Sequence, residues 1–284
     1  RTGCTVIIPE QAAVAAVDVR GSAPGTRELE LLKPIRLVEK VHAILLTGGS
    51  AFGLDAAGGV QQFLEERGIG FDVGVARVPI VPGAVIFDLA IGDPKVRPTK
   101  EMGYKACENA REHNDEAGSI GAGCGATVGK LLGMEHCSRG GVGTSSILLP
   151  NGVVIGALAV VNAFGEVIDA QGNIIAGVKK KSGDGFLSAL QLLQQSSEPI
   201  TFSSNTTLAV VATNARLDRQ SATKVAQMAQ DGLAKAIRPA HTMLDGDIVF
   251  VLSTGEIEGD VSTIGAFACE IVAESIRRAV KNQS

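Results

Sequence analysis

The sequence predicts an α+β fold in which two β-sheets stack face to face and helices cover their outer surfaces. Short apolar segments typical of strands occur in clusters along the 284 residues. Two of these segments are joined by Pro150-Asn151-Gly152, a turn signal that indicates an antiparallel hairpin. Amphipathic segments of helical length separate the clusters, but strands and helices do not alternate regularly, as they would in a doubly wound fold.

The predicted strands are short apolar runs, each bounded by Gly, Pro or polar residues. In chain order they span residues 4–8, 14–19, 43–47, 84–88, 145–149, 153–161, 207–213 and 247–253. The strand at 43–47 runs directly into Gly48-Gly49, so we expect a buried strand that ends in a tight turn.

The predicted helices have apolar residues at helical spacing and recognisable ends. They span residues 53–67, 99–113, 184–195, 218–238 and 261–281. Gly68 closes the first helix, Thr99 caps the second, and Pro239 stops the fourth. The polar segment 196–205 follows the third helix and meets a buried strand abruptly, which makes it the best candidate for a break in the chain.

Composition argues against several classes of function. The net charge is −4, and the only basic cluster is Lys179-Lys180-Lys181, so we expect no nucleic-acid partner. No apolar run reaches the roughly 18 residues that a membrane-spanning helix needs. The five cysteines contain no C-x-x-C pair, which disfavours a zinc site or a disulfide framework. We therefore expect a cytoplasmic protein that needs no metal or other cofactor.

The glycine-rich segment 47–53 is not a nucleotide-binding fingerprint. Ser50 stands where that fingerprint has its second glycine, and Phe52 stands where a nucleophile elbow needs a glycine. Two interpretations remain open for Gly48 and Gly49. They form a tight turn between strand and helix, or their backbone amides hold an oxyanion.

The glycine-rich segment 121–130 is not a phosphate-binding loop either. Cys124 occupies the position of the first glycine of that motif, and Leu131 occupies the position of its Ser or Thr. What remains is a glycine-rich segment that presents Lys130, a residue that on its own would be taken for a surface lysine.

The pair Asn205-Thr206 lies where the polar segment meets the strand at 207–213. A threonine at a new N-terminus can act as a nucleophile, because its own α-amine, with a pKa near ~8, can accept the hydroxyl proton. The hydroxyl can create that terminus by attacking the Asn205 carbonyl. Taken alone, Asn-Thr-Thr is a common tripeptide that also matches a glycosylation acceptor.

Two further candidates are polar groups at the ends of apolar strands. Asp245 and Asp247 are two residues apart at a strand start, so their side chains point to the same side. Such a pair can orient an ammonium group and a hydroxyl, bind a metal, or form a simple Asp-Gly turn. Asn162 ends the very apolar strand at 153–161, where its amide suits an oxyanion donor or a buried turn.

Several long segments, in order along nearly the whole chain, resemble the autoprocessing DmpA-type aminopeptidases. That family also contains the β-peptidyl aminopeptidases and the nylon-oligomer hydrolases. The segments are LTGGSAFGLDAA at 46–57, VPIVP at 78–82, IFD at 86–88, NTT at 205–207 with Asn214, and PAHTMLDGD at 239–247. The resemblance implies a four-layer αββα sandwich in a single domain, 1–284, that is cleaved into chains 1–205 and 206–284. It also implies that the two chains stay associated, as units of a tetramer of cleaved pairs.

The resemblance also implies roles for individual residues. Thr206 matches the nucleophile, and Lys130 matches a lysine beside the nucleophile in the nylon-oligomer hydrolases. Asn162 matches the asparagine of the oxyanion site, and Asp245 and Asp247 match the acidic pair that holds the nucleophile and its amine. The implied activity is hydrolysis of a peptide or another linear amide, without a cofactor.

The chain departs from the family's classical pattern at four positions. The classical aminopeptidases have Ser as the nucleophile and a Ser/Glu pair at Asp245/Asp247, which places this chain nearer the threonine branch. Phe52 stands where some relatives carry Tyr, and it remains a candidate substrate-binding residue with the Gly48-Gly49 turn. Two alternatives stay open: an acyltransferase similar to ornithine acetyltransferase, which also cleaves itself before a Thr, and a binding protein that retains the fold.

Overall fold

The computed structural model describes residues 1–112, 114, 116–181, 184–196 and 205–281. Within these ranges the strands, numbered in chain order, are β1 (Cys4–Ile7), β2 (Ala13–Val19), β3 (Thr26–Arg27), β4 (Lys40–Val41), β5 (Ile44–Thr47), β6 (Phe71–Asp72), β7 (Arg77–Val78), β8 (Gly83–Val85), β9 (Thr127–Val128), β10 (Ser138–Arg139), β11 (Gly141–Leu148), β12 (Val154–Asn162), β13 (Glu166–Ile168), β14 (Ile174–Ala176), β15 (Val178–Lys179), β16 (Phe186–Leu187), β17 (Thr206–Ala215), β18 (Ile237–Arg238) and β19 (Ile248–Ile257). The α-helices are α1 (Ala56–Glu65), α2 (Lys100–Glu108), α3 (Ala189–Gln195), α4 (Arg219–Ala236) and α5 (Val261–Val280).

Two sheets form the centre of the molecule. The larger sheet has six strands in the order β11-β12-β17-β19-β2-β4, and its central pair, β17 and β19, is parallel while the other pairs are antiparallel. The smaller sheet has four strands in the order β1-β5-β8-β3. The longest apolar strands of the chain thus lie in the middle of the larger sheet, where both faces can be covered.

The two sheets pack face to face and helices cover both outer surfaces. The core between the sheets contains Leu46, Ile86, Leu208, Ile248 and Phe250, all fully buried. Helices α4 and α5 cover the outer face of the larger sheet, while α1 and α2 cover the smaller sheet. Burial of each large apolar side chain stabilises the fold by roughly 1.5–3 kcal/mol. This arrangement confirms the predicted four-layer αββα sandwich.

The predicted hairpin is confirmed, although its first strand is longer than the predicted apolar run. β11 and β12 pair from Leu148 and Val154 at the turn to Gly141 and Val161 at the far end. The residues 141–144 were missed because two glycines interrupt the apolar pattern there. The pairing with β12 places this glycine-containing segment in the sheet despite its low strand propensity.

Several predicted boundaries were wrong, mostly where tertiary contacts override the local pattern. The predicted helix at 53–67 begins as a 3₁₀ turn, Ser50–Asp55, before α1, and the strand predicted at 84–88 is confined to β8. The helix predicted at 184–195 is α3 alone, because residues 186–187 pair with β15 instead. The helix predicted at 218–238 ends with α4, because the next two residues pair with β13.

The helix caps agree better with the sequence. The Thr99 hydroxyl accepts a hydrogen bond from the amide of Met102, and Asp218 accepts one from Ser221, each at the start of its helix. The helix predicted at 99–113 ends with α2, and residue 113 lies outside the described ranges. The predicted break at 196–205 also lies mostly outside them, since residues 197–204 are not described. Of the helices that are described, none has the length and apolar character to cross a membrane.

Candidate active site

Thr206 is the first residue of β17, in the middle of the larger sheet. The apolar run that follows it is buried, and Thr206 itself is only 4% exposed. Its neighbour across the sheet is Asn162, the last residue of β12. Two residues that are 44 positions apart in the sequence are thereby register partners, so this part of the sheet brings two of the predicted candidates together.

The carbonyl oxygen of Asn205 accepts two hydrogen bonds. The Thr206 hydroxyl donates to this carbonyl oxygen, and the backbone amide of Gly246 donates to the same oxygen at 2.9 Å. The amide of Asn205 donates in turn to the carbonyl of Leu244 at 3.0 Å. The peptide bond between Asn205 and Thr206 is therefore held between a hydroxyl on its own chain and the loop that carries the two aspartates.

Gly246 lies too close to the hydroxyl to carry a side chain. A Cβ atom at this position would lie 2.8 Å from the Thr206 hydroxyl oxygen and 2.7 Å from the carbonyl oxygen of Ala23. Both distances are shorter than ordinary contacts between carbon and oxygen. The glycine between the two aspartates thus lets the backbone approach the carbonyl and place its amide there.

Asp245 is buried and held from two sides. Its Oδ2 accepts hydrogen bonds from the amide and the hydroxyl of Thr242, at 3.0 Å and 2.5 Å, and its Oδ1 accepts one from the amide of Phe164 at 3.3 Å. Burial and the nearby Asp247 raise the pKa of Asp245 to about 6. This carboxyl group can therefore change its protonation state close to neutral pH.

Asp247 contacts the chain on the other side of Thr206. Its Oδ1 accepts a hydrogen bond from the amide of Thr207 at 2.7 Å. Its Oδ2 accepts two, one from the backbone amide of His241 at 3.0 Å and one from that residue's Nδ1 at 2.9 Å. The two predicted aspartates thus lie on either side of Thr206, because Asp245 pairs with Asn205 through an isolated bridge while Asp247 accepts a hydrogen bond from Thr207.

Lys130 is buried beside Asn162, which corrects its first interpretation as a surface residue. Its Nζ donates to both the backbone oxygen and Oδ1 of Asn162, each at 2.9 Å. Burial lowers the pKa of Lys130 to about 7, although Cys137, Asp245 and Asp88 partly oppose this by favouring the charged form. The lysine is thereby poised to gain or lose a proton near neutral pH.

The side-chain amide of Asn162 forms hydrogen bonds with three residues. Its Oδ1 accepts from Lys130 and from the backbone amide of Thr127 at 3.0 Å, and its Nδ2 donates to the carbonyl of Phe87 at 3.1 Å. A side-chain amide has two N–H donors, so one remains for a further acceptor beyond the Phe87 carbonyl. Asn162 is therefore a fixed donor at the end of β12.

The backbone amides of the Gly48-Gly49 turn already donate hydrogen bonds to other parts of the chain. Gly48 donates to the carbonyl of Gly3 at 2.9 Å, and Gly49, in a left-handed conformation at φ 79°, donates to Oδ1 of Asp88 at 2.7 Å. These contacts favour the tight-turn interpretation over the anion-binding one. Burial raises the pKa of Asp88. Phe52 lies just beyond this turn, 54% exposed, with the Arg97 guanidinium 3.5 Å from the centre of its ring.

Sequence reasoning missed three contributors to this site. They are the amide of Gly246, the Thr242 side chain that holds Asp245, and His241, which holds Asp247. All three lie in the quoted segment 239–247, but a backbone amide and a helper side chain have no distinctive sequence pattern. Across the described parts of the chain, no group of three His, Cys, Asp or Glu residues is arranged to hold a metal ion.

Comparisons with known proteins connect the chain with a peptidase family. The sequence model of peptidase family S58 matches residues 1–283. A Mycobacterium leprae protein named an uncharacterized aminopeptidase is 42% identical over 310 aligned residues, which cover 98% of this chain and 82% of that protein. The 6-aminohexanoate-oligomer endohydrolase of Kocuria sp. is 30% identical over 300 aligned residues, which cover 99% of this chain and 81% of that enzyme.

A solved structure shows the same fold. The L-aminopeptidase D-Ala-esterase/amidase of Ochrobactrum anthropi, described as a variant of the Ntn hydrolase fold, matches with a TM-score of 0.70 at 19% identity. The match covers 98% of this chain and 77% of that one. At this identity the likeness establishes the fold alone.

Proposed function

This chain belongs to peptidase family S58 and is a hydrolase of amide bonds, and on that premise we propose that it cuts itself between Asn205 and Thr206 and then uses Thr206 as its nucleophile. The predicted family, the predicted fold and amide hydrolysis are confirmed. The position of the cut and the identity of the nucleophile are the content of the proposal.

One observation supports the proposal above all others: the Thr206 hydroxyl and the Gly246 amide both reach the carbonyl oxygen of Asn205. In the self-cleavage step the hydroxyl oxygen bonds to the carbonyl carbon, and the Gly246 amide stabilises the negative charge that develops on the carbonyl oxygen. The peptide C–N bond then breaks and its nitrogen takes up the hydroxyl proton. The products are an ester and a free α-amine, and water hydrolyses the ester to leave Asn205 as a carboxylate.

After the cut, Thr206 carries both the nucleophile and a base. Its α-amine can accept the hydroxyl proton when the oxygen attacks the carbonyl of a substrate amide. Lys130, with a pKa of about 7, and Asp245, with a pKa of about 6, can take or return a proton in the same pH range. Asn162 offers an N–H donor for the substrate oxyanion, and water completes hydrolysis of the acyl-enzyme.

The substrate proposed is a peptide or another linear amide. The names of two relatives support this class: one is called an uncharacterized aminopeptidase and another a 6-aminohexanoate-oligomer endohydrolase. Phe52 is the third residue of the 3₁₀ turn Ser50–Asp55. Its exposed ring stacks with the Arg97 guanidinium and offers an apolar contact for a substrate chain. We assign Phe52 this binding role in the proposal.

Intact mass measurement tests the proposal directly. Purified wild-type protein is expected as two fragments, residues 1–205 and 206–284, while Thr206→Ala stays as one chain. Thr206→Ser keeps a hydroxyl in the same position and is expected to cut, which makes it the matched control. Cleavage of Thr206→Ala between residues 205 and 206 would overturn the proposal, and so would an active wild-type enzyme that consists of one continuous chain.

A further inference from the structure

His241 has an unusual backbone conformation directly before the two aspartates. Its φ is 56°, in the left-handed region that few residues other than glycine adopt. Its backbone amide and its Nδ1 both bond the same atom, Oδ2 of Asp247, at 3.0 Å and 2.9 Å. A strained backbone conformation persists only where surrounding contacts hold it. The two hydrogen bonds with Asp247 therefore hold His241 in this conformation.

The imidazole has no second polar anchor in the described part of the chain. Its Nε2 is buried and lacks a hydrogen-bond partner among the described residues. A buried nitrogen without a partner opposes folding. The ring is therefore kept in this position by its contact with Asp247 rather than by a wider hydrogen-bond network.

Each aspartate of the site is held by a different residue of the same loop. Thr242 binds Asp245 through its amide and hydroxyl, while His241 binds Asp247 through its amide and imidazole. Because both His241 contacts use Oδ2, the other oxygen of Asp247 is left to accept the amide of Thr207 at 2.7 Å. His241 thus sets which carboxylate oxygen faces the strand that begins with the nucleophile.

We propose that His241 is a positioning residue for the nucleophile, acting through Asp247. The inference rests on the proposed function, since it assumes that Thr206 is the attacking residue. With Oδ2 clamped by His241, Oδ1 fixes the amide of Thr207 and so fixes the start of β17 against the Asn205 carbonyl. Loss of the clamp lets the carboxylate rotate, and the hydroxyl of Thr206 loses its alignment with the carbonyl carbon.

Three substitutions separate the side chain from the backbone strain. His241→Asn keeps a side-chain N–H donor near the position of Nδ1, and Asn tolerates the left-handed conformation. His241→Gly adopts that conformation freely but removes the donor. His241→Ala removes the donor and keeps the strain. His42→Asn is the matched control, because the Nδ1 of His42 also has one hydrogen-bond partner, the backbone amide of Ile80, from which it accepts.

The first experiment follows conversion of freshly folded full-length precursor into its two fragments. His241→Gly and His241→Ala are expected to cut about 10- to 100-fold more slowly than wild type, as small misplacements of a reacting group do. His241→Asn is expected to stay within about threefold of wild type, and His42→Asn is expected to cut at the wild-type rate. A glycine variant that cuts as fast as wild type overturns the inference, and so does an asparagine variant as slow as the glycine variant.

A second measurement does not depend on cleavage. In the Thr206→Ala background, His241→Gly is expected to speed hydrogen exchange of the Thr207 amide by about 10-fold or more, because Asp247 no longer holds it, while His241→Asn leaves it unchanged. Unchanged exchange in the glycine variant also overturns the inference. An uncut wild type would instead overturn the proposed function, and the exchange rates would still decide whether His241 acts as the clamp.

Discussion

Asn162 lies directly opposite Thr206, as its register partner across β12 and β17. The same asparagine accepts two hydrogen bonds from Lys130, one on its backbone oxygen and one on Oδ1. Asn162 therefore connects the buried lysine to the strand position of Thr206. This explains how a lysine from a glycine-rich loop and a threonine from a central strand come to share one site.

Asn162→Asp is expected to change the pH dependence of self-cleavage. A carboxylate oxygen 2.9 Å from Nζ favours the charged form of Lys130 and raises its pKa from about 7 towards the ordinary value. Neutral Lys130 can carry the Thr206 hydroxyl proton to the departing nitrogen during self-cleavage, and this form then appears only at higher pH, so the pH–rate profile is expected to move upward by about one unit or more. Quenched samples on denaturing gels across the pH range give this profile.

Asn214→Asp is the matched control for that variant. The Asn214 side chain also accepts a hydrogen bond from a backbone amide, that of Val154, and donates one to a backbone carbonyl, that of Gly152. These contacts lie beside the hairpin turn, away from Lys130. Its profile is expected to coincide with that of the wild type. If folded Asn162→Asp shows the wild-type profile as well, Lys130 does not set the pH dependence.

Gly246→Ala is expected to slow self-cleavage by about 100-fold or more. The new methyl group would lie 2.8 Å from the Thr206 hydroxyl oxygen, so either the hydroxyl or the Gly246 amide must move away from the Asn205 carbonyl. The conversion of precursor to fragments over time measures the effect. Gly156→Ala is the control, because a Cβ there meets its nearest neighbour at an ordinary 3.9 Å. Cleavage of Gly246→Ala at the control's rate would show that this close approach is not needed.

The sequence drew attention to the candidate nucleophile and the acidic pair, but not to the groups that hold them. Thr206, Asp245 and Asp247 have reactive side chains in ordered segments, so residue type and resemblance identified them. The amide donor at Gly246 has no side chain, and its role depends on a contact with residue 205 that only the folded chain brings about. The two interpretations of the Gly48-Gly49 turn stayed open for the same reason, because Asp88, which accepts the Gly49 amide, is 39 residues from Gly49 along the chain.

The layers of the fold were predictable for a different reason. The hairpin of β11 and β12 and the caps at Thr99 and Asp218 depend on neighbouring residues, which local sequence describes well. The order of strands in the larger sheet depends on contacts between distant segments. Local patterns therefore identified most of the elements, while the resemblance to known proteins was needed to predict how they stack.

Lys130→Met is expected to reduce the pH dependence of stability, measured in the Thr206→Ala background so that both proteins are uncut. In the folded chain burial lowers the pKa of Lys130 to about 7, below the ordinary lysine value of 10.5. Between these values the unfolded chain binds more protons than the folded chain, so the free energy of unfolding rises with pH. The melting temperature of the lysine protein should accordingly rise from pH 7 towards alkaline pH, relative to the methionine variant.

The comparison between the two proteins removes the effects of every other titrating group. Below about pH 7 both states of the lysine protein are protonated, and the difference between the two proteins is expected to level off. Lys235→Met is a suitable control, because Lys235 is an exposed lysine paired with Glu270. If the melting temperatures of the lysine protein and of Lys130→Met change with pH in parallel over the alkaline range, Lys130 is charged in the folded state.

The two fragments are expected to stay together after the cut. β17 and β19 come from residues 206–284 but lie between β12 and β2, which come from residues 1–205. Separation would expose the core between the sheets, so we expect a single species in native mass spectrometry and two fragments in denaturant. Phe250→Ala, in the middle of that core, should lower the free energy of unfolding by about 3–5 kcal/mol. Phe267→Ala, at a residue that is 36% exposed, should lower it much less. Fragments that separate under native conditions would contradict the placement of these strands within one sheet.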